Sequence, residues 1–409
     1  MNKISSLVLV IFWLSVLVSC QTLDSVEPSE RSTFIKFFND SGSDVGAAIE
    51  PTPDGGFISL GTSESGQLSR AVLVKTDRLG NTEWTQSFEN ASGCALLVQE
   101  DGYLIVGDSI NILDANETLA KIYLFKTDLQ GNMIANTTIA NPNGQLDVHG
   151  KAVTVDLNGD ILVTGDAEDD SDLEETVLAN ISAADFSLNW IQRYELDIRS
   201  YDNGKSLHQN PDGSIIWCSS VFRELDDDRT ETYVSVNVVP PDSESESNAL
   251  FGRNVPENFS GVDIRPGLFG FGVIGTMTDF DNQNGEIFFI RVDQSGLVID
   301  NSELMFGNSG DDFGYSLSLT SDGGFILLGG LATTPESGNG GLDYYLVKID
   351  AFGNIQWDSL IGGAGDEIGG TVRQTADGGY VIFGTSLLQG VSSMVLVKTN
   401  SLGQLVDPL

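Results

Sequence analysis

The stretches "SDGGFILLGG" (Ser321–Gly330) and "ADGGYVIFGT" (Ala376–Thr385) are near copies, and the same turn recurs along the whole chain. Repetition at a period of about 50 residues excludes most single-core folds, because each unit has to bury its apolar faces on its neighbours. With the first residue of "DGG" as a marker, the turn stands at Asp54, Asp101, Asn158, Asp212, Leu268, Asp322 and Asp377, at intervals of 47, 57, 54, 56, 54 and 55. Seven turns predict seven units. A chain of 409 residues with 46 glycines and 11 prolines has the length and the turn chemistry for such an array.

Each marker leads into a strand such as "GFISLGT" or "GYVIFGT". A variable loop follows, then a second strand that runs into a glycine turn, as in "AVLVKTDRLGN" and "YYLVKIDAFGN". Glycine supplies positive φ in these turns while the aspartate caps the bend. A third strand carries tryptophan four residues past the glycine, at Trp84 and Trp357. The fourth strand precedes the next marker and holds a glycine eight residues before it: Gly46, Gly93, Gly150, Gly204, Gly314 and Gly369, with Ser260 and Gly261 at that place in the fifth unit. Glycine there suits strands that crowd together around an axis. Units three and four depart at the glycine turn, with "SAADFSLNW" and "VVPPDSESES".

Four antiparallel strands per unit predict an all-β, seven-bladed β-propeller. A parallel β-helix uses much shorter coils. The last unit stops at "LVDPL" without an outer strand, whereas "STFIKFF" (Ser32–Phe38) stands before the first blade. The N-terminal strand is therefore expected to complete the last blade and close the ring, hiding two edges at once.

The first twenty residues have Lys3, an apolar run from Leu7 to Leu17, and then Leu17-Val18-Ser19-Cys20. The run is short for a membrane span and reads as an export signal. The final tetrapeptide resembles a bacterial lipobox. That resemblance implies cleavage before Cys20, acylation of Cys20 and a lasting membrane anchor. The expected organisation is a lipoprotein signal over 1–19, an acylated cysteine and polar tether over 20–32, and one propeller over 33–409.

The "DGGY…VKTD..GN..W" unit resembles the repeats of seven-bladed propeller lipoproteins of Bacteroidota-type bacteria, and it is similar to the blades of quinoprotein-type propellers. The resemblance spans about residues 33–407. It implies a cell-envelope location, most of all the outer membrane. The second group includes a lipoprotein of the outer-membrane barrel-assembly machinery and quinone-cofactor dehydrogenases, typically with eight blades.

A net charge of −39 argues against nucleic acid and anionic lipid surfaces as partners. In a propeller the "DGG" and "D..G" turns share one face, and the loops that vary among units share the other. Acid collects in those variable loops, at "GDAEDDSDLEET" (165–176), "RELDDDRTE" (223–231) and "TDFDNQNGE" (278–286). Asp169, Asp170, Asp172, Asp226, Asp227, Asp228, Asp279 and Asp281 are thus the candidate binding face, presented by a monomeric disc to a cell-envelope protein or glycan. Tyr201 and Phe222 are candidate stacking residues on that face.

The segment Asp279–Gly285 begins like a calcium loop, but its glycine comes one place late and no closing glutamate follows. No cofactor is expected, calcium being the one weak alternative. His149 and His208 fall at different offsets and form no triad, and no GxSxG, HExxH, paired CxxC or phosphate loop is present. The sequence therefore points to a non-catalytic binding or scaffolding protein. Two alternatives stand beside it: a glycan- or calcium-dependent binding module, and a hydrolase or quinone-type enzyme with a channel site. Cys94 and Cys218 read as small thiols without a mutual bridge, and Trp84, Trp190 and Trp357 as docking residues between blades.

Overall fold

The four segments of a unit take different places because they carry different patterns. Counted outward from the axis, the second strand of blade one is Phe57–Ser65, and it is buried along nearly its whole length, as a strand covered on both sides must be. The outer strand Thr82–Glu89 alternates exposed and half-buried positions. In a computed structural model of the chain, these segments form seven four-stranded antiparallel blades. It describes residues 32–39, 42–66, 68–114, 117–142, 144, 146–168, 174–194, 200–201, 206–224, 230–241, 247–252, 257–279, 284–334 and 340–405. Among the described residues no helix is long and apolar enough to cross a membrane.

Blade one runs outward through Ser43–Pro51, Phe57–Ser65, Leu68–Thr76 and Thr82–Glu89. The inner strands of the other blades are Ala95–Gln99, Val148–Val155, Leu207–Gln209, Glu257–Gly267, Phe313–Leu319 and Asp366–Gln374. Blade seven takes Phe34–Phe38 as its outer strand, paired antiparallel with Val391–Thr399 in the register Phe34 with Lys398 and Phe38 with Met394. The ring closes as the sequence predicts. Blades three and four depart from the pattern by sharing one sheet. The short strand Ser200–Tyr201 pairs with Glu174 on one side and with Val221 and Ser220 on the other.

Seven apolar clusters fill the seven blade boundaries. The cluster between blades seven and one gathers Ile49, Phe57, Val72, Phe383 and Leu396, with Phe34 and Phe38 packed against it. The closing strand therefore fills a core as well as completing a sheet.

The recurrent inner glycine has a specific neighbour. A Cβ on Gly46 would fall on the backbone of Gly384, and one on Gly314 on the backbone of Gly275. Each pair joins the inner-strand glycine of one blade to the second-strand glycine of the blade before it. The residue after that second-strand glycine holds the contact. Thr385 Oγ1 accepts from Gly46 N at 3.1 Å, Thr62 Oγ1 from Gly93 N at 3.0 Å, Thr276 Oγ1 from Gly314 N at 3.1 Å, and Asp108 Oδ1 from Gly150 N at 2.8 Å. Just past the glycine five of the inner strands slip register, between Gly46 and Ala48, Gly150 and Ala152, Gly261 and Asp263, Gly314 and Ser316, and Ile368 and Thr371. Such bulges bend a strand and re-aim its side chains, here toward the axis.

Candidate functional site

The bulges place alternate inner-strand residues on a central channel. Two residues past the glycine stand Ala48, Ala95, Ala152, Ser206, Asp263, Ser316 and Thr371. Four residues past it stand Glu50, Leu97, Thr154, His208, Arg265, Ser318 and Arg373. Both rings line one cavity of about 280 Å³. The second ring lies toward the face of tight turns, because Glu50 pairs with Ile58 just beyond the Asp54 turn.

The two arginines are held in place. Arg373 gives Nε to Glu50 Oε1 at 2.8 Å and Nη1 to the carbonyl of Val372 at 2.8 Å, with Nη2 also 2.8 Å from Glu50. Burial works against its charge, and Glu50 more than restores it, so its pKa rises. Arg265 Nε faces Asp263 at 3.2 Å. Asp263 is 1% exposed, and its Oδ2 also accepts from Ser316 Oγ at 3.2 Å and Leu317 N at 3.1 Å. His208 sits edge-on to Phe271 at 5.6 Å, and burial followed by the nearby Arg265 charge lowers its pKa. Both causes favour the neutral ring. Arg265 and Arg373 carry no sequence motif, and they stand at the offset that His208, Glu50 and Ser318 share.

The turn face is closed by repeated clasps. Asp77, Asp128 and Asp350 each accept two backbone N–H groups and the side-chain amide of the asparagine four residues on. A second clasp was legible only as two separate motifs. The lysine of "VKT" or "VKI" reaches the aspartate of "DGG": Lys75 to Asp54 at 2.9 Å, Lys348 to Asp322 at 2.9 Å, and Lys398 to Asp377 at 3.0 Å. These lysines are 3% exposed. Burial would raise the Asp54 and Asp322 carboxyls, but hydrogen bonds from Thr52 and Thr320 and the lysines outweigh it and hold both at about 2.

Because the folded value lies below the ordinary one, this contribution is whole above about pH 4 and is lost as pH falls through about 2. Asp322→Asn is expected to cost about 1–2 kcal/mol at pH 7. That is below the cost of breaking a fully buried pair, because the carboxylate is half exposed. Urea unfolding at pH 7 and pH 2.5 checks it: the deficit against wild type should shrink at the lower pH.

On the variable face, Asp279 ends the strand Gly270–Asp279 opposite Glu257. Asp169, Asp170, Asp172, Asp226, Asp227, Asp228 and Asp281 lie outside the described residues, as do Cys20 and the side chains of Tyr201 and Phe222. Other acids on this face serve the fold. Asp147 Oδ1 accepts from Ala120 N at 2.7 Å, Asp311 Oδ1 from Gly285 N at 2.9 Å, and Asp366 Oδ1 from Leu342 N at 2.9 Å. Each ties the entrance of one inner strand to the third strand of the preceding blade. Among the described residues no group of three His, Cys, Asp or Glu is placed to hold a metal ion.

Trp84 and Trp357 dock between blades, next to Tyr103 and Tyr380, with the turn glycines Gly131 and Gly403 against their rings. Trp190 does not follow them. It is 41% exposed and lines a groove with Pro240 and Pro241, because unit four carries a proline pair where a glycine turn would cover the ring. His149 pairs with Asp108 at 3.1 Å, and Cys94 is half-buried and Cys218 buried.

Fold and channel define the chain as a seven-bladed β-propeller with a narrow polar axis. No family model matches it, and no curated protein does. Among solved structures it is similar to the polysaccharide lyase Uly1, with a TM-score of 0.53 at 11% identity over 87% of this chain and 90% of that one. The β-propeller domain of the Trilobed protease from Pyrococcus furiosus gives 0.49 at 10% identity, over 90% of this chain and 100% of that one. A protein of unknown function from Dyadobacter fermentans gives 0.48 at 10% identity, over 89% and 98%. At such identities the likeness concerns the fold alone.

It also corrects one expectation. The absence of catalytic motifs pointed to a non-catalytic protein, yet a protein of similar fold is a polysaccharide lyase. A propeller draws its active groups from several blades, so linear motifs do not reveal them, and the fold by itself leaves activity open.

Proposed function

We propose that this chain is an exported, lipid-anchored propeller of the cell envelope that serves as a rigid binding platform. Cys20 is the anchor, and the acidic loops of blades three to five meet the partner. The observation that carries this reading is the difference between the two faces. The tight turns on one face are capped by the same aspartate geometry in blade after blade. The loops on the other face differ in length and charge from unit to unit, as binding loops on a fixed scaffold do. The likeness of the repeat to propeller lipoproteins and the Leu17–Cys20 tetrapeptide support the envelope location.

Two variants test the reading. Cys20→Ala should move the protein from the membrane to the soluble fraction. Neutralising Asp169, Asp170, Asp172, Asp226, Asp227 and Asp228 to Asn should weaken salt-sensitive crosslinking to an envelope partner by at least about tenfold. Membrane retention of the first variant, or unchanged crosslinking of the second, would refute the corresponding half.

A further inference from the structure

Going round the second ring of the channel, blades four to seven contribute His208, Arg265, Ser318 and Arg373 in succession. Blades one to three contribute Glu50, which is engaged by Arg373, Leu97 and Thr154 to that ring, and Ala48, Ala95 and Ala152 to the ring beside it. We propose that the channel binds a small amphipathic monocarboxylate, with its head on the Arg265–Ser318–Arg373 arc and its body on the alanine and leucine wall.

Several observations converge on this ligand. The chain has 20 lysines and arginines against 59 acids, yet two arginines stand in one layer of the axis with a single serine between them. Arg265 spends only Nε on Asp263. Among the described residues its Nη groups make no hydrogen bond, and neither does the half-buried ring of His208 beside it. Donors fixed by their neighbours and left unpaired beside a cavity are what a planar oxyanion needs, and a guanidinium presents them in a fork.

Charge sets the valence. Glu50 balances Arg373 and Asp263 balances Arg265, so with His208 neutral the arc is net zero, and it suits one negative charge better than two. Size sets the body: about 280 Å³ exceeds the roughly 150 Å³ that accepts a benzene ring, leaving room for a ring and a short acid arm.

Phenylacetate is the probe, and phenylacetamide is its uncharged isostere. Calorimetric titration of the purified protein should give saturable binding of the acid, with the amide at least about tenfold weaker. Asp263→Asn combined with Arg265→Gln removes both charges while leaving an oxygen for Ser316 and Leu317, and should lose a similar factor. Arg78→Gln, at an exposed turn, should bind like wild type. Inorganic phosphate should bind more weakly than the acid. Equal binding of acid and amide, no saturation by about 20 mM acid, tighter binding of phosphate, or unchanged affinity in the double variant would each overturn the proposal. The acid–amide comparison uses the unmodified chain, so it decides even if the double variant fails to fold.

Discussion

Deleting Ser32–Phe38 is expected to open the ring and remove most of the stability of the disc. The strand Phe34–Phe38 forms the outer ladder of blade seven, and its loss leaves the Val391–Thr399 edge unpaired. It also uncovers the cluster between blades seven and one, where Phe34 lies 6.4 Å from Phe57 and Phe38 lies 6.4 Å from Phe383. Truncating either phenylalanine to alanine should cost about 2–4 kcal/mol, somewhat under the figure for a fully buried ring. Removing the whole strand should exceed about 5 kcal/mol, comparable with the entire stability of an ordinary domain. Thermal unfolding followed by circular dichroism checks this. The expected result is a lower, broader transition, with aggregation before the midpoint. A truncated chain that melts at the wild-type temperature with the same sharpness would mean that the seventh boundary holds without the N-terminal strand.

The second large effect is expected at the glycine pairs. Gly46 has ordinary backbone angles, so alanine there introduces no conformational strain and tests close approach alone. The added methyl group would land on the Gly384 carbonyl, which belongs to another blade and cannot rotate aside as a side chain would. Gly46→Ala should therefore cost about 3 kcal/mol, at the upper end of overpacking, because relief requires two blades to part. Gly314→Ala should behave alike against Gly275. Gly363→Ala is the control, since a Cβ there meets nothing within 4 Å, and it should lie within about 0.5 kcal/mol of wild type. Urea unfolding of the three variants is sufficient. Gly46→Ala matching Gly363→Ala would remove close packing as the reason for the repeated glycine.

The architecture was legible because it depends on local signals repeated often enough to average out exceptions. "DGG" and "D..G" state the turns directly, and "STFIKFF" stands ahead of the first blade with the pattern of an outer strand. The glycine eight residues before the marker was readable as a crowded position. Its partner was not, because Gly384 and Gly275 look like any second-strand residue until two blades are set side by side.

The same limit applies to chemistry. Lys348 and Asp322 pair across a strand and a turn, and Asp311 reaches Gly285 in the preceding blade. Read linearly, both acids only add to a negative total. Arg265 and Arg373 are 108 positions apart in sequence, and only the ring brings them into one layer. Trp190 departs from the docking pattern for a related reason. Its own segment matches Trp84 and Trp357, and what differs is the proline pair in the next unit that leaves it uncovered.

Pairing Phe34 with Lys398 also fixes an order of assembly. The ribosome makes the closing strand before blade one and its partner after blade six, so six blades can stack while that strand has nothing to bind. The final step joins Phe34–Phe38 to Val391–Thr399, and it carries the full entropic cost of a long loop unless the stacked blades have already bent the two strands together.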